Sequence, residues 1–166
     1  MNDGLDSATG WLSEHGPRLV LLARQWVGSH ADAEDVCQEA FIRFWPHRYR
    51  VRDPLAYLYR CVRNAAMNRQ RSDGRRQVRE RRNTPGPMFD DQPGEGIEQA
   101  ELQQAVQRAM EELTTAQREV LVMRIWGELT FAAIAEALGV PVRTAQSRCR
   151  DALAALRSHL SIEWTE

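Results

Sequence analysis

The sequence predicts an all-α fold: two small helical domains joined by a flexible linker. Three observations carry that prediction. Apolar residues recur at helical spacing through almost the whole 166-residue chain, with no convincing strand alternation. Residues 83–96, NTPGPMFDDQPGEG, break the rhythm with three prolines, three glycines and three acids, the composition of a connector and not of an element. Residues 130–160 then carry two short helical patterns separated by Gly139 and Pro141. The length suits one medium domain or two small ones, so the reading is a first domain over 1–80, a linker over 81–97 and a second domain over 98–166.

Helices are expected at 17–28, 32–45, 54–72, 98–112, 116–126, 130–138 and 142–160. In DAEDVCQEAFIRFW (32–45), Ala33, Val36, Cys37, Ala40, Phe41 and Phe44 form a broad core stripe, with Asp32 expected as the N-cap. The opposite face carries Asp35, Gln38 and Glu39, and among them Ile42. An aliphatic residue inside an acidic outward face reads as the anchor of a protein interface with a polar rim. The plainer alternative is a solvated face.

The third helix puts Leu55, Leu58, Val62 and Ala65 inside and Arg60, Arg63 and Arg71 outside, with Asn64 beside them. Tyr49, Tyr57, Tyr59 and Trp45 lie on or near it. Basic groups that track phosphates, interleaved with rings that stack on bases, suit single-stranded nucleic acid. The arginine-rich run RRQVRERR (75–82) is expected to continue this helix as a frayed extension.

In the second domain a short helix ends at Gly139 and another starts near Pro141, glycine serving as a left-handed stop and proline suiting a first turn. Ala145, Cys149, Ala152 and Leu156 repeat at i, i+4, i+7 and i+11 as a buried face. Arg143, Ser147, Arg150 and Ala154 point away from it, with Thr144 and Gln146 on the flanks. Two helices across a tight glycine turn are a helix-turn-helix, whose second helix reads the major groove by its N-terminal residues.

The net charge of −1 conceals patterning: all 22 basic groups are arginine, and ADAEDVCQEA holds four acids and no base. Separate basic and acidic surfaces imply two kinds of partner. Three scattered cysteines, Cys37, Cys61 and Cys149, argue against a disulfide framework or a zinc site and suit buried, reduced side chains. The four histidines are dispersed and there is no Gly-rich phosphate loop, so no metal, no cofactor and no enzymatic activity are expected. The N-terminus has no signal-peptide pattern, and the longest aliphatic run is too short to span a bilayer, so a cytoplasmic location without membrane insertion is expected.

Taken together, ADAEDVCQEAFIRFW, DPLAYLYRCVRNAAMNRQR and LTTAQREVLVMRIWGELTFAAIAEALGVPVRTAQSRCRDALAALR closely resemble three blocks of the bacterial sigma-70 family. The likeness is to its small extracytoplasmic-function (ECF) group, which retains only regions two and four. The resemblance implies a region 2 bundle and a region 4 helix-turn-helix that bind core RNA polymerase and promoter DNA. It implies that Asp35, Gln38, Glu39 and Ile42 dock on the polymerase clamp helices. Tyr49, Tyr57, Arg60, Arg63 and Asn64 would hold the melted −10 element. Arg143, Thr144, Gln146, Ser147, Arg148 and Arg150 would meet the duplex −35 element. Many relatives are held inactive by an anti-sigma factor packed between the lobes, which adds such a protein to the candidate partners. The chain departs from the usual pattern at Tyr57, where a tryptophan is common, and at Asn68, where an acid is. Its RTAQSR stands where GTVKSR-like strings are frequent, which bears on the promoter sequence read. The alternative function is an autonomous helix-turn-helix regulator, which would grip duplex DNA without polymerase.

Overall fold

The computed structural model describes residues 3–77 and 97–160. Among the described residues there are seven α-helices, one 3-10 turn and no strand. The helices are α1 (Asp3–Ala23), α2 (His30–Phe44), α3 (Pro54–Gln77), α4 (Ile97–Glu111), α5 (Thr115–Ile125), α6 (Phe131–Leu138) and α7 (Val142–Leu160), with the 3-10 turn at Trp45–His47. The linker expected over 81–97, with its acids Asp90, Asp91 and Glu95, lies outside the described residues except for Ile97, the first residue of α4. So does the arginine run beyond Gln77.

Two boundaries differ from expectation for identifiable reasons. The first helix begins at Asp3, not at 17, and Pro17 sits inside it. Proline cannot bond the carbonyl four residues back. Here both Ser13 and Pro17 are on the exposed side, so water can satisfy that carbonyl while Leu19 and Leu22 stay in the core. The second helix is capped by Ser29, not Asp32. The Asp32 N–H donates to Ser29 Oγ at 3.1 Å, and the Ser29 hydroxyl donates to the Asp32 carboxylate at 2.6 Å. Asp32 is thereby one turn in, where its charge favours the positive end of the helix dipole.

In the first lobe α2 packs across α3, and α1 lies against both. Leu19, Leu22, Val36, Phe44, Leu58 and Val62 fill the centre. In the second lobe α7 packs on α4, α5 and α6. A Thr114–Gln117 capping box starts α5, and Thr130 caps α6 by accepting from the Ala133 N–H. The lobes also meet: α3 lies against α6 and α1 against α5, and the buried side chains form one continuous core.

Cys37 and Cys149 are buried, Cys61 is half-buried, and none is paired. Burial, helped by the Glu34 carboxylate, pushes the Cys37 thiol up to about 12, and burial also raises Cys61 and Cys149.

Gly139 closes α6 with φ 66°, and the Val140 N–H bonds back to the Ala135 carbonyl. A Cβ at Gly139 would touch nothing within 4 Å, so the cost of one is purely conformational. Gly139→Ala should therefore destabilise the chain by about 1–2 kcal/mol. Gly74, at an exposed position inside α3 with equally open surroundings, should respond in the opposite sense, Gly74→Ala adding about 0.5–1 kcal/mol. Chemical denaturation of the two variants checks both signs.

Candidate functional site

The outward face of α2 has the composition its sequence implies. Asp35, Gln38, Glu39 and Ile42 are all exposed, Ile42 to 71%. Glu39 pairs with Arg43 one turn on. Beneath this face Phe41, Phe44, Trp45, Trp11 and Tyr57 pack ring against ring, so α2 presents its surface from a stiff base. A groove of about 470 Å³ between α1 and α2, lined by Leu12, Pro17, Val20 and Cys37, opens beside Gln38 and Glu34.

The turn after α2 holds a second feature. Tyr49 is 81% exposed, yet its ring is not free. The Arg48 guanidinium lies 3.9 Å from the Trp45 ring centroid and 4.1 Å from that of Tyr49, and Arg48 Nη1 donates to the Trp45 carbonyl at 2.6 Å. Trp45 in turn stacks on Phe41 at 5.2 Å. A cation between two rings is favourable by about 0.5–1 kcal/mol per exposed contact. The arrangement holds an aromatic face toward solvent.

On α3, Arg60 and Asn64 are exposed as expected. Two neighbours are not where a simple amphipathic reading puts them. Tyr57 is half-buried with its ring 6.2 Å from Phe44, and Cys61 beside it raises its phenol above the ordinary value. Arg63, expected to face outward, turns into the seam between the lobes with its side chain only 22% exposed. Its Nε donates to Glu119 Oε1 at 2.5 Å and its Nη2 to Oε2 at 3.3 Å. Tyr59, one turn earlier on the same face, is fully buried. Sequence reasoning missed Glu119 altogether. Its signal is an acid embedded in the apolar run REVLVM on α5, where only a buried partner justifies it.

In the second lobe α6 and α7 form the expected helix-turn-helix. Ala145, Cys149 and Ala152 are buried beneath α7, and Arg143, Gln146 and Arg150 are exposed on it. Thr144 is half-exposed. So is Ser147, whose hydroxyl donates to the Thr144 carbonyl at 3.1 Å instead of pointing straight out. Arg148 is half-buried, close enough to Glu119 to lower that carboxyl's pKa, whereas burial raises it more strongly. Apart from Arg63 in the seam and Arg148 beside Glu119, the site residues thus fall on three surfaces: the acidic face of α2, the Tyr49–α3 region, and the outer side of α7. Among the described residues no cluster of His, Cys, Asp and Glu could hold a metal, and no helix is long and apolar enough to cross a membrane.

Comparison with known proteins matches each lobe separately. Residues 11–76 match sigma-70 region 2, and residues 103–156 match sigma-70 region 4. The ECF RNA polymerase sigma factor SigL of Mycobacterium tuberculosis is 30% identical over 151 residues, covering 87% of this chain and 83% of SigL. The ECF sigma factor RpoE of Cereibacter sphaeroides is 31% identical over 137 residues, covering 79% and 74%. Two solved structures share the fold. The sigma factor RpoE in complex with the anti-sigma factor NepR, from Bartonella quintana, superposes with TM-score 0.76 at 20% identity, over 96% of this chain and 99% of that one. CnrH in complex with the cytosolic domain of CnrY gives 0.62 at 24%, over 95% and 89%.

The stiffness of α2 under its acidic face generates a contrast between two nearby positions. Ile42→Ala should change stability by no more than about 0.5 kcal/mol, because the side chain leaves little apolar surface buried. Phe44→Ala, two residues on and fully enclosed, should cost about 3–5 kcal/mol. Thermal unfolding followed by circular dichroism reads both.

Proposed function

The chain belongs to the extracytoplasmic-function group of the sigma-70 family, and from that premise we propose how its surfaces divide the work of starting transcription. It is a transcription initiation factor that directs RNA polymerase to promoters, and the match to both sigma regions in order does not favour an autonomous regulator. In this reading residues 1–80 bind core polymerase and the −10 element, 81–97 connect, and 98–166 bind the −35 element.

The observation that carries the polymerase assignment is Ile42. It stands 71% exposed at the centre of Asp35, Gln38 and Glu39, on a helix whose other side is fixed by packed rings. An apolar anchor within a polar rim is what a protein partner buries with profit in water entropy, and rim acids select a basic partner surface. The −10 element, once melted, meets Tyr49 as a stacking platform, with Arg60, Asn64, Arg63 and Tyr57 along the strand. Stacking of about 1–3 kcal/mol per base offsets part of the cost of separating the strands. Arg143, Thr144, Gln146, Ser147, Arg148 and Arg150 hold the −35 duplex, the exposed Arg143, Gln146 and Arg150 reaching base edges and the others the backbone.

The mechanism requires no reaction chemistry of the chain's own. Polymerase fixes the spacing of two individually small DNA sites and so supplies avidity that the free chain lacks. We place the protein in the cytoplasm with the polymerase. One of the two structural relatives, RpoE, is a complex with the anti-sigma factor NepR, and an anti-sigma factor is a proposed partner here as well.

Two variants separate the surfaces. Ile42→Glu should abolish capture of core polymerase in a pull-down while retaining wild-type helical content. Normal holoenzyme formation by that variant would overturn the α2 assignment. Arg143→Ala should leave capture intact and reduce promoter-directed transcription about tenfold, the size of one base or phosphate contact. Equal loss of both activities would show that the outer side of α7 has been misassigned.

A further inference from the structure

Two different anions have a claim on Arg63. The proposed function gives it a phosphate of single-stranded DNA. The structure gives it the Glu119 carboxylate of the second lobe, held through Nε at 2.5 Å and Nη2 at 3.3 Å. A guanidinium fork grips carboxylate and phosphate with the same planar two-point geometry, so the two ligands exclude one another.

The surroundings show how the contact is built. Tyr59, Arg63 and Ala66, at i, i+4 and i+7, share one side of α3, with Tyr59 and Ala66 fully buried and Arg63 largely enclosed. Tyr59 lies against Gly127, in the turn between α5 and α6. A Cβ at Gly127 would fall 2.7 Å from the Tyr59 Oη and 2.6 Å from the Met123 carbonyl, so the approach requires glycine. At the edge, Arg18 of α1 pairs with Glu128 at 3.6 Å. Arg148, another residue assigned to DNA, also lies in the field of Glu119.

We propose that α3 presents an interaction surface for the chain's own second lobe, and that Glu119, standing in for a nucleic-acid phosphate, withdraws Arg63 from DNA whenever the lobes close. The inference rests on the assignment of Arg63 to the −10 strand. Closure of this kind is reversible by construction. Burial raises Glu119 more than its arginines lower it, so the carboxylate is costly to enclose even when paired. Among the described residues no group bonds the buried Tyr59 hydroxyl, a second cost that opening removes. The contact is therefore strong enough in geometry to specify one closed arrangement and weak enough in free energy for polymerase and DNA to displace it.

The test uses the full-length chain, with helical content checked by circular dichroism. Small-angle scattering reads lobe separation, and fluorescence anisotropy with a short single-stranded DNA of mixed sequence reads binding. Glu119→Ala removes both the charge and the two oxygens that hold Arg63, and leaves the guanidinium unpaired in the closed arrangement. It should enlarge the radius of gyration and tighten single-strand binding by about fivefold or more. Arg63→Gln, which breaks the same contact from the other lobe, should enlarge the chain equally but weaken binding below wild type. An unchanged radius in both variants overturns the interlobe contact and leaves the DNA assignment standing. Enlargement in both, with no gain of binding in Glu119→Ala, overturns the assignment of Arg63 to DNA and the masking with it.

Discussion

A carboxylate nearly sealed from water, set inside the apolar run of α5, governs how this chain is arranged. Glu119 has 3% of its side chain exposed, and a charge so placed must be paired or given up. Its own lobe offers two arginines. Arg118 is spent on the carbonyls of Met110, Glu111 and Leu113, where it closes the turn from α4 into α5. Arg148 acts on it through the field alone, with no hydrogen bond between them among the described contacts. The two-point partner comes from across the seam as Arg63. The packing of α3 on α6, the burial of Tyr59 and the close approach at Gly127 all accompany that pairing.

The same economy of faces recurs through the molecule. Helix α2 gives one side to an aromatic core and the other to an acidic surface with a single aliphatic centre. Helix α3 serves three masters: the α2 core through Leu58 and Val62, the second lobe through Tyr59 and Arg63, and solvent through Arg60 and Asn64. The exclusive use of arginine suits this crowding. A planar fork can stack between Trp45 and Tyr49 in one place and grip a carboxylate in another, which a lysine ammonium does less well.

How far the sequence alone reaches depends on what each residue answers to. The bounds of α7 and its buried Ala145, Cys149 and Ala152 were readable because one face meets one core at a regular period. The α2 surface was equally readable, since Ile42 violates the pattern around it. The start of α1 was not, because Pro17 imitates a helix boundary and the solvent that excuses it is invisible in sequence. Tyr59 and Arg63 escaped for a different reason. A helical wheel assigns one side to the core and the rest to water, and has no place for a second buried side that belongs to another lobe. Glu119 was legible in principle as an acid among core residues, but its partner lies 56 positions away.

The thiols described above bear on the kind of signal the protein can answer. Oxidants attack thiolates, and at neutral pH a thiol whose pKa stands near 12 is essentially never ionised. Cys61 and Cys149 are displaced in the same direction. Peroxide therefore finds a poor target in Cys37, and the upward displacement of Cys61 and Cys149 makes the cysteines of this chain weak sensors of an oxidative signal.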